Sequence, residues 1–525
     1  MAQLEQMLDR IRKDMDVRQN LIQIRQNISD ESLRRNFMGL LEGDFTLLTD
    51  LLQHEDPKVR KNAALILGMT QDEQVLGALM DAWEKEETLY VREDYLKAVS
   101  ALDYRPYIPK MKERIASLEA GLQLEDVPES GQREELWDNN KHLLAELSAL
   151  RGMVSRYEKR EKHHFSKMNP APDLILQTNR LHADVTGRQV LQGTVNVMKG
   201  SVHVKGGDLE EILKIRTWTE ILFPIPGARP FSGDEKAIAQ WLRNLKAANY
   251  LKYLHQESDQ PFRYRIELKS RTIPAEKRGD FIRRIASRLD ALEHGALQNT
   301  DSAYEAEIRL IERSDGAFVP MLKLYTIPDD RFSYRKETTA QSTSAYLAAV
   351  SCELAGPYLK AGAQVLDPFC GTGTLLMERC LKADADPVYG VDRYAQALEK
   401  AKINTQITRR FPHAPFHLVN RDFFDFTHDY RFDEIITHFP AQTGEESEEA
   451  FAGRFLGKAS QLLSDGAMLI VLTDAPGALK QALSKEKGFT LEKTFVLNER
   501  AGTEECILRY ASTDPVSLDN HEGSE

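Results

Sequence analysis

At 525 residues the chain is long enough for roughly three to five domains, and 42% hydrophobic with 29% charged residues is the make-up of a globular protein, neither disordered nor fibrous. A formal net charge of −12 counts against a uniformly basic nucleic-acid binder, although a basic face can sit on an acidic chain. The densest apolar run, Ala467 to Leu472, is strand-length and far short of the ~20 residues of a membrane helix, so no membrane association is expected.

Met1 to Met15 carries Glu5, Asp9, Arg10, Arg12, Lys13 and Asp14 without an apolar stretch, so no secretory signal is expected. Four cysteines and no C-x-x-C pair leave no disulfide framework, zinc ribbon or thioredoxin-like site, and the expected compartment is the reducing cytosol. Residues 1–165 read as helical, with Leu40, Leu41, Leu47, Leu48, Leu51 and Leu52 at helical spacing. The stretch from Asp56-Pro57-Lys58-Val59-Arg60 to Gly68 is echoed by Tyr90-Val91-Arg92 to Val99, and the two Val-Arg pairs lie 32 residues apart. Pro57 suits a first helical turn capped by Asp56, and Ala63 and Ala64 permit close approach of a neighbouring helix. Over about residues 30–115 this resembles HEAT repeats, with a plain helical bundle as the alternative. Either arrangement is an interaction scaffold, with a protein as its partner.

A polar stretch, Gln123 to Gln132, precedes a charged helix expected from Glu134 to about Lys162. The basic run Arg156 to Lys167 (Lys159, Arg160, Lys162, His163, His164 and Lys167 against Glu158 and Glu161) reads as a solvated linker helix or a phosphate contact. The His163-His164 pair has no acid or cysteine at ligand spacing, so no metal is expected. Asn169-Pro170-Ala171-Pro172 ends the helical region.

Residues 173–330 read as one or two α+β units. Strands are predicted at Gln189–Val197, Phe262–Leu268, Glu305–Ile311 and Ala317–Leu324, and helices at Leu209–Lys214, Asp234–Lys246 and Ala275–Leu292. Between Pro261 and Asp290 nine positive residues face four negative ones, a local +5. Arg263, Arg265, Lys269, Arg271, Arg283 and Arg284 are the candidate phosphate-backbone contacts, with a basic solvated helix face as the alternative.

Residues 331–511 read as a doubly wound α/β domain, and 512–525 as a short, disordered acidic tail. Its strands are expected at Gln364–Asp367, Val388–Asp392, Phe416–Val419, Phe432–Thr437, Ala467–Leu472, Lys493–Val496 and Cys506–Tyr510. The most informative segment is Val365-Leu366-Asp367-Pro368-Phe369-Cys370-Gly371-Thr372-Gly373-Thr374, a strand that ends in an acid and turns through two glycines into a helix. That is the nucleotide-cradle pattern of doubly wound folds. Leu376 stands where G-x-G-x-x-G needs glycine, and no Lys-Ser/Thr follows, which disfavours a nicotinamide or phosphate-loop site. Asp392 closes the next strand, where an acid can bind ribose hydroxyls, and Asp422 follows the third, within reach of an adenine amine. Cys370 and Cys380 read as packed small side chains.

The series Asp367-Pro-Phe-Cys-Gly-Thr-Gly-Thr, Gly390-Val-Asp392 and Asp422 resembles the S-adenosylmethionine site of RNA methylases that carry a THUMP domain. Asp330-Arg-Phe-Ser-Tyr-Arg-Lys336 and the helix after Ser344 are similar to the segment that joins the two domains in that family. The resemblance covers about residues 175–510, leaving the helical HEAT-like N-terminus outside it, and implies an α+β ferredoxin-like or THUMP-like middle that engages structured RNA (tRNA or rRNA) and a Rossmann-like methyltransferase domain acting on guanine N2. It places Asp367, Pro368, Cys370, Gly371, Gly373 and Thr374 around the donor, with Asp392 at the ribose and Asp422 near the adenine.

The family's catalytic turn, Asn/Asp-Pro-Pro-Tyr/Phe, reads His438-Phe439-Pro440-Ala441 here. On this alignment His438, Phe439 and Pro440 are the catalytic candidates: a neutral imidazole accepts one amine hydrogen and Phe439 supplies stacking. The readings left open are an active enzyme with a modified turn, an enzyme acting on a different atom, and an inactive RNA-binding scaffold.

Overall fold

The computed structural model describes residues 2–122, 132–157, 162–166, 170–256, 260–293, 295–406, 416–441 and 446–512. Two compact units result, one of Met1–Ser166 with Ile225–Thr326 and one of Lys167–Pro224 with Ile327–Glu525. The expected tail beyond Ser512 lies outside the described residues, as do Glu158, Lys159, Arg160, Glu161 and Lys167 of the basic run and residues 123–131 of the polar stretch.

The first unit opens with stacked helices, among them Pro57–Thr70, Leu76–Lys85, Leu89–Val99, Ile108–Gly121 and Gln132–Tyr157. Asp56 caps the first of these by accepting the Lys58 amide at 2.8 Å, with Pro57 in the first turn. The repeat is chemical as well as positional. Arg60 binds the Glu86 carboxylate at 2.7 Å and the His54 carbonyl at 2.8 Å. Arg92, its counterpart, binds Glu146 and the Glu86 carbonyl, each at 2.9 Å. Ala63 and Ala64 are fully buried, yet the tightest approach is at Gly68, where a Cβ would lie 2.5 Å from the Ala98 Cα.

The charged helix expected from Glu134 to about Lys162 is Gln132–Tyr157, and it packs through an apolar face. Leu144, Leu147, Leu150, Met153 and Val154 form a buried seam, and Glu146 is fully buried between Arg92 and Arg114. His163 is likewise buried: its ring stacks on Phe262 at 3.8 Å and its Nδ1 lies 3.0 Å from Glu305.

Four short strands come next, β1 (Leu174–Thr178), β2 (Thr194–Met198), β3 (Ser201–Lys205) and β4 (Trp218–Pro224), with helices Ala183–Gly187 and Leu209–Lys214. Their βαββαβ sequence and antiparallel order β2-β3-β1-β4 make a ferredoxin-like unit. The strand predicted from Gln189 begins only at Thr194, because Gln189 and Val190 close a turn after the preceding helix.

The chain then returns to the first unit with helices Glu235–Asn244, Ala247–Leu254 and Ala275–Leu292 and strands β5 (Phe262–Lys269), β6 (Leu297–Asn299), β7 (Ala306–Glu312) and β8 (Phe318–Leu324), ordered β8-β7-β5-β6. Region 173–330 is therefore two α/β pieces divided between Pro224 and Ile225, each with its own four strands.

The C-terminal sheet holds β9 (Ala363–Asp367), β10 (Ala385–Asp392), β11 (Phe416–Asn420), β12 (Phe432–His438), β13 (Leu463–Thr473), β14 (Phe489–Asn498) and β15 (Thr503–Tyr510) in the order β11-β10-β9-β12-β13-β15-β14. All seven predicted strands are present. The first five are parallel, and β15 runs antiparallel to both β13 and β14. Strand order reverses between β9 and β12, the place where doubly wound sheets bind ligands at the carboxyl ends of their strands. Among the described residues no helix is long and apolar enough to cross a membrane.

Gly68→Val should loosen the repeat, because the added methyl groups collide with Ala98 backbone. We expect about 2 kcal/mol of local destabilisation, read as faster amide hydrogen exchange in helices Pro57–Thr70 and Leu89–Val99.

Candidate donor cavity and catalytic turn

β9 delivers Asp367 to the carboxyl edge of the sheet, and the chain then turns through Gly371 (φ +54°) and Gly373 (φ +80°) into the helix Thr374–Lys382. Both glycines adopt torsions that side-chain-bearing residues resist. A Cβ at Gly371 would meet nothing within 4 Å, so the space above the turn is open to a ligand. Cys370 faces the sheet: a Cβ at Gly390 would lie 2.9 Å from its sulfur, and burial pushes its thiol well above the ordinary range. It lines the cavity as a packed side chain.

The three strand-end acids converge on one cavity of about 930 Å³, lined also by Pro368, Cys370, Gly371 and Thr374. Asp392 accepts the Gly371 amide at 2.9 Å on one oxygen and the Tyr394 amide at 2.8 Å on the other, which locks the turn to β10. Each oxygen keeps a second lone pair for a ligand hydroxyl. Asp422 accepts the Phe424 amide at 2.9 Å. Asp367 is almost fully buried and accepts the Thr437 hydroxyl at 2.7 Å and the Phe369 amide at 3.0 Å. Burial raises its pKa to about 7, and the nearby Asp392 charge adds to the rise, while those two hydrogen bonds oppose it. A buried acid poised near neutrality beside an open cradle is suited to a cationic ligand group.

A second wall comes from Thr339 to Thr343, a segment with no recognisable motif of its own. Asn404, fully buried, holds it: its amide donates to the Glu337 and Thr372 carbonyls at 2.9 and 3.0 Å and accepts the Glu337 amide at 2.9 Å.

At the end of β12, His438 reaches the cavity with its Nδ1 2.9 Å from the Thr343 hydroxyl. Burial lowers the imidazole's proton affinity, and Asp474 works in the opposite direction. Phe439 lines the cavity too, but its ring also packs edge-to-face on Phe455 at 4.8 Å and Phe451 at 5.3 Å. Pro440 is exposed at the rim.

The basic candidates lie in the other unit, and none of them lines this cavity. Arg263, Arg265 and Lys269 alternate on β5 with the buried Tyr264, Ile266 and Leu268. Register places Arg265 opposite Glu307 of β7, and the two form a 2.6 Å ion pair, with the guanidinium 4.3 Å from the Tyr304 ring. Lys269 pairs with Glu267 at 2.6 Å, Arg283 with Asp280 and Arg284 with Glu235 at 3.4 Å. The backbone amides of Arg271 and Thr272 and the Ser270 hydroxyl are anchored on Glu312. The local +5 is therefore partly neutralised by acids from outside the window. Arg283 and Arg284 keep well-exposed side chains.

Residues 333–503 match the family described as UPF0020: RMKL-like, methyltransferase domain. This match makes residues 333–503 a methyltransferase domain. Residues 1–100 and 45–120 match HEAT repeats. The tRNA (guanine(10)-N2)-dimethyltransferase of Methanothermobacter thermautotrophicus is 33% identical over 132 residues, 24% of this chain and 37% of that enzyme's length. Among solved structures, TrmN from Thermus thermophilus aligns with a TM-score of 0.50 at 20% identity over 65% of this chain and 99% of that one. SMU.472, solved in complex with SAH, aligns with a TM-score of 0.50 at 16% identity over 68% and 100%. At these identities the structural likeness is one of fold.

The cavity fits S-adenosylmethionine, the donor that the sequence implies: the open cradle at Gly371, the remaining lone pairs of Asp392 and the buried Asp367 carboxyl match a nucleoside carrying a cationic amine. Asp392→Ala removes the ribose acceptor and the lock on Gly371, and should weaken S-adenosylmethionine binding by about 100-fold or more in titration calorimetry. Asp367 must lose its proton before it can pair with an ammonium group. Donor affinity should thus level off above pH 7 and fall about tenfold per unit below it, a slope absent from Asp367→Asn.

Proposed function

We propose that this protein is an RNA methyltransferase that transfers a methyl group to the exocyclic N2 amine of a guanine in tRNA or rRNA. The observation that carries the reading is the convergence of three strand-end acids and the β12 turn on one cavity. The partial likeness to a tRNA guanine-N2 methylase supports the choice of acceptor. S-adenosylmethionine supplies a methyl group whose bond to sulfur breaks, with its electron pair on sulfur, as the bond to the acceptor nitrogen forms. The chain holds and aligns the partners, and alignment dominates a reaction whose electrophile is already strong. Asp392 holds the ribose, Asp422 the adenine and Asp367 the methionine amine. His438 accepts a hydrogen from the guanine amine in place of the family's planar amide, beside the Phe439 ring.

The α/β piece of β5 to β8 is assigned to RNA capture in a THUMP-like role, through Arg283 and Arg284 on the exposed side of their helix and the arginines of β5. The HEAT-like helices are assigned to a protein partner, and the compartment to the cytoplasm. An inactive scaffold is the reading the altered turn alone would favour, and the intact donor cradle counts against it.

Incubation with tritiated S-adenosylmethionine and total tRNA or rRNA, followed by nucleoside digestion, should give labelled N2-methylguanosine; label on another nucleoside, or none, would contradict the assignment. Arg283→Glu with Arg284→Glu should weaken RNA binding at moderate salt and flatten its salt dependence while donor affinity is unchanged.

A further inference from the structure

His438 is the departure that most affects chemistry. Asparagine accepts a hydrogen bond but takes no proton at neutral pH, whereas imidazole does both. Its Nδ1 lies 2.9 Å from Thr343 Oγ1, and both residues line the donor cavity. Asp474 lines it as well, one residue beyond β13, which runs parallel beside β12 with Leu472 in register with His438. Asp474 Oδ1 is held by the Thr503 hydroxyl at 2.5 Å. The imidazole is thus bonded on one nitrogen, in the field of one nearby carboxylate, at the acceptor end of the site.

We propose that Thr343 and Asp474 are positioning residues that make His438 the proton acceptor for the nitrogen being methylated. The inference rests on the methyltransferase reading above. In neutral imidazole one nitrogen carries the hydrogen and the other is bare, and the partner of the first decides which. The Thr343 hydroxyl can donate or accept; the proposal is that it accepts from Nδ1–H, which leaves Nε2 as the bare nitrogen offered to substrate. As the new bond to carbon forms, the acceptor nitrogen gains positive charge. Its N–H bond then breaks, the bonding pair stays on that nitrogen and the proton passes to Nε2. The resulting imidazolium is stabilised by Asp474 and later returns its proton to water. Other charged groups lining the cavity are Asp367, Asp392, Asp422 and Glu446 on the side of the imidazolium, with Arg393 and Arg454 against it. Burial keeps the ring neutral between turnovers by lowering its proton affinity.

The test is long-range proton–nitrogen NMR on the full chain with labelled histidine, with His438 assigned through His438→Gln. The wild type should show His438 as the Nδ1–H form. Thr343→Val should mix in the Nε2–H form, and Thr343→Ser should restore the original. Asp474→Asn should move the His438 titration to lower pH. In turnover, Thr343→Val should lower kcat on the order of 10-fold while calorimetric donor affinity and thermal unfolding stay near wild type. An Nε2–H form in the wild type, or a titration unmoved by Asp474→Asn, would overturn the proposal. Failure of the methyltransferase reading shows separately, as absence of donor binding to the wild-type chain.

Discussion

The proposed donor site depends on one carboxylate that serves two strands. Asp392, at the end of β10, takes the Gly371 amide on one oxygen and the Tyr394 amide on the other. It thereby fixes the glycine turn that leaves β9 and the start of the chain beyond β10. A turn that adopts left-handed torsions at two glycines is entropically costly to hold, and this charge-assisted bond is the local force that holds it. With the turn in place, Asp367 is sealed beneath it and Asp422 stands at the next strand end. The three acids become one surface because parallel strands in register end together.

The proposed acceptor side is built from longer-range contacts. Asn404 joins the Thr339–Thr343 approach to the turn through the Glu337 and Thr372 carbonyls, and the Thr343 hydroxyl reaches His438 on another strand. Methyl transfer asks for a fixed line between donor and nucleophile, and buried, fully bonded side chains such as Asn404 supply that rigidity.

The strands of the C-terminal sheet were legible as elements because the central ones, buried on both faces, read as continuous apolar runs, and β9 and β10 end in acids; β10, β13 and β14 begin three or four residues before their predicted starts. The arginine echo at Arg60 and Arg92 was legible as spacing, and its chemistry, each arginine binding a carbonyl and a carboxylate, emerged only in three dimensions. Strands β1, β3 and β4 were not legible: five- to seven-residue strands in an antiparallel βαββαβ unit carry too few alternations to stand out. The basic window misled for a related reason, since Glu307 and Glu235, which neutralise Arg265 and Arg284, lie 42 and 49 residues away in sequence. The wall from Thr339 to Thr343 and its anchor Asn404 have no local signature, because their role comes from packing between distant segments.

In the proposed arrangement the strand-end acids seat the methyl donor with its reactive end toward His438. The most direct test is a crystal structure of the full chain with S-adenosylhomocysteine. The ribose hydroxyls should lie on Asp392, the adenine beside Asp422, the amino group at Asp367 and the thioether sulfur facing the His438 turn. A ligand seated elsewhere, or one in this cavity with its sulfur turned away from His438, would contradict it.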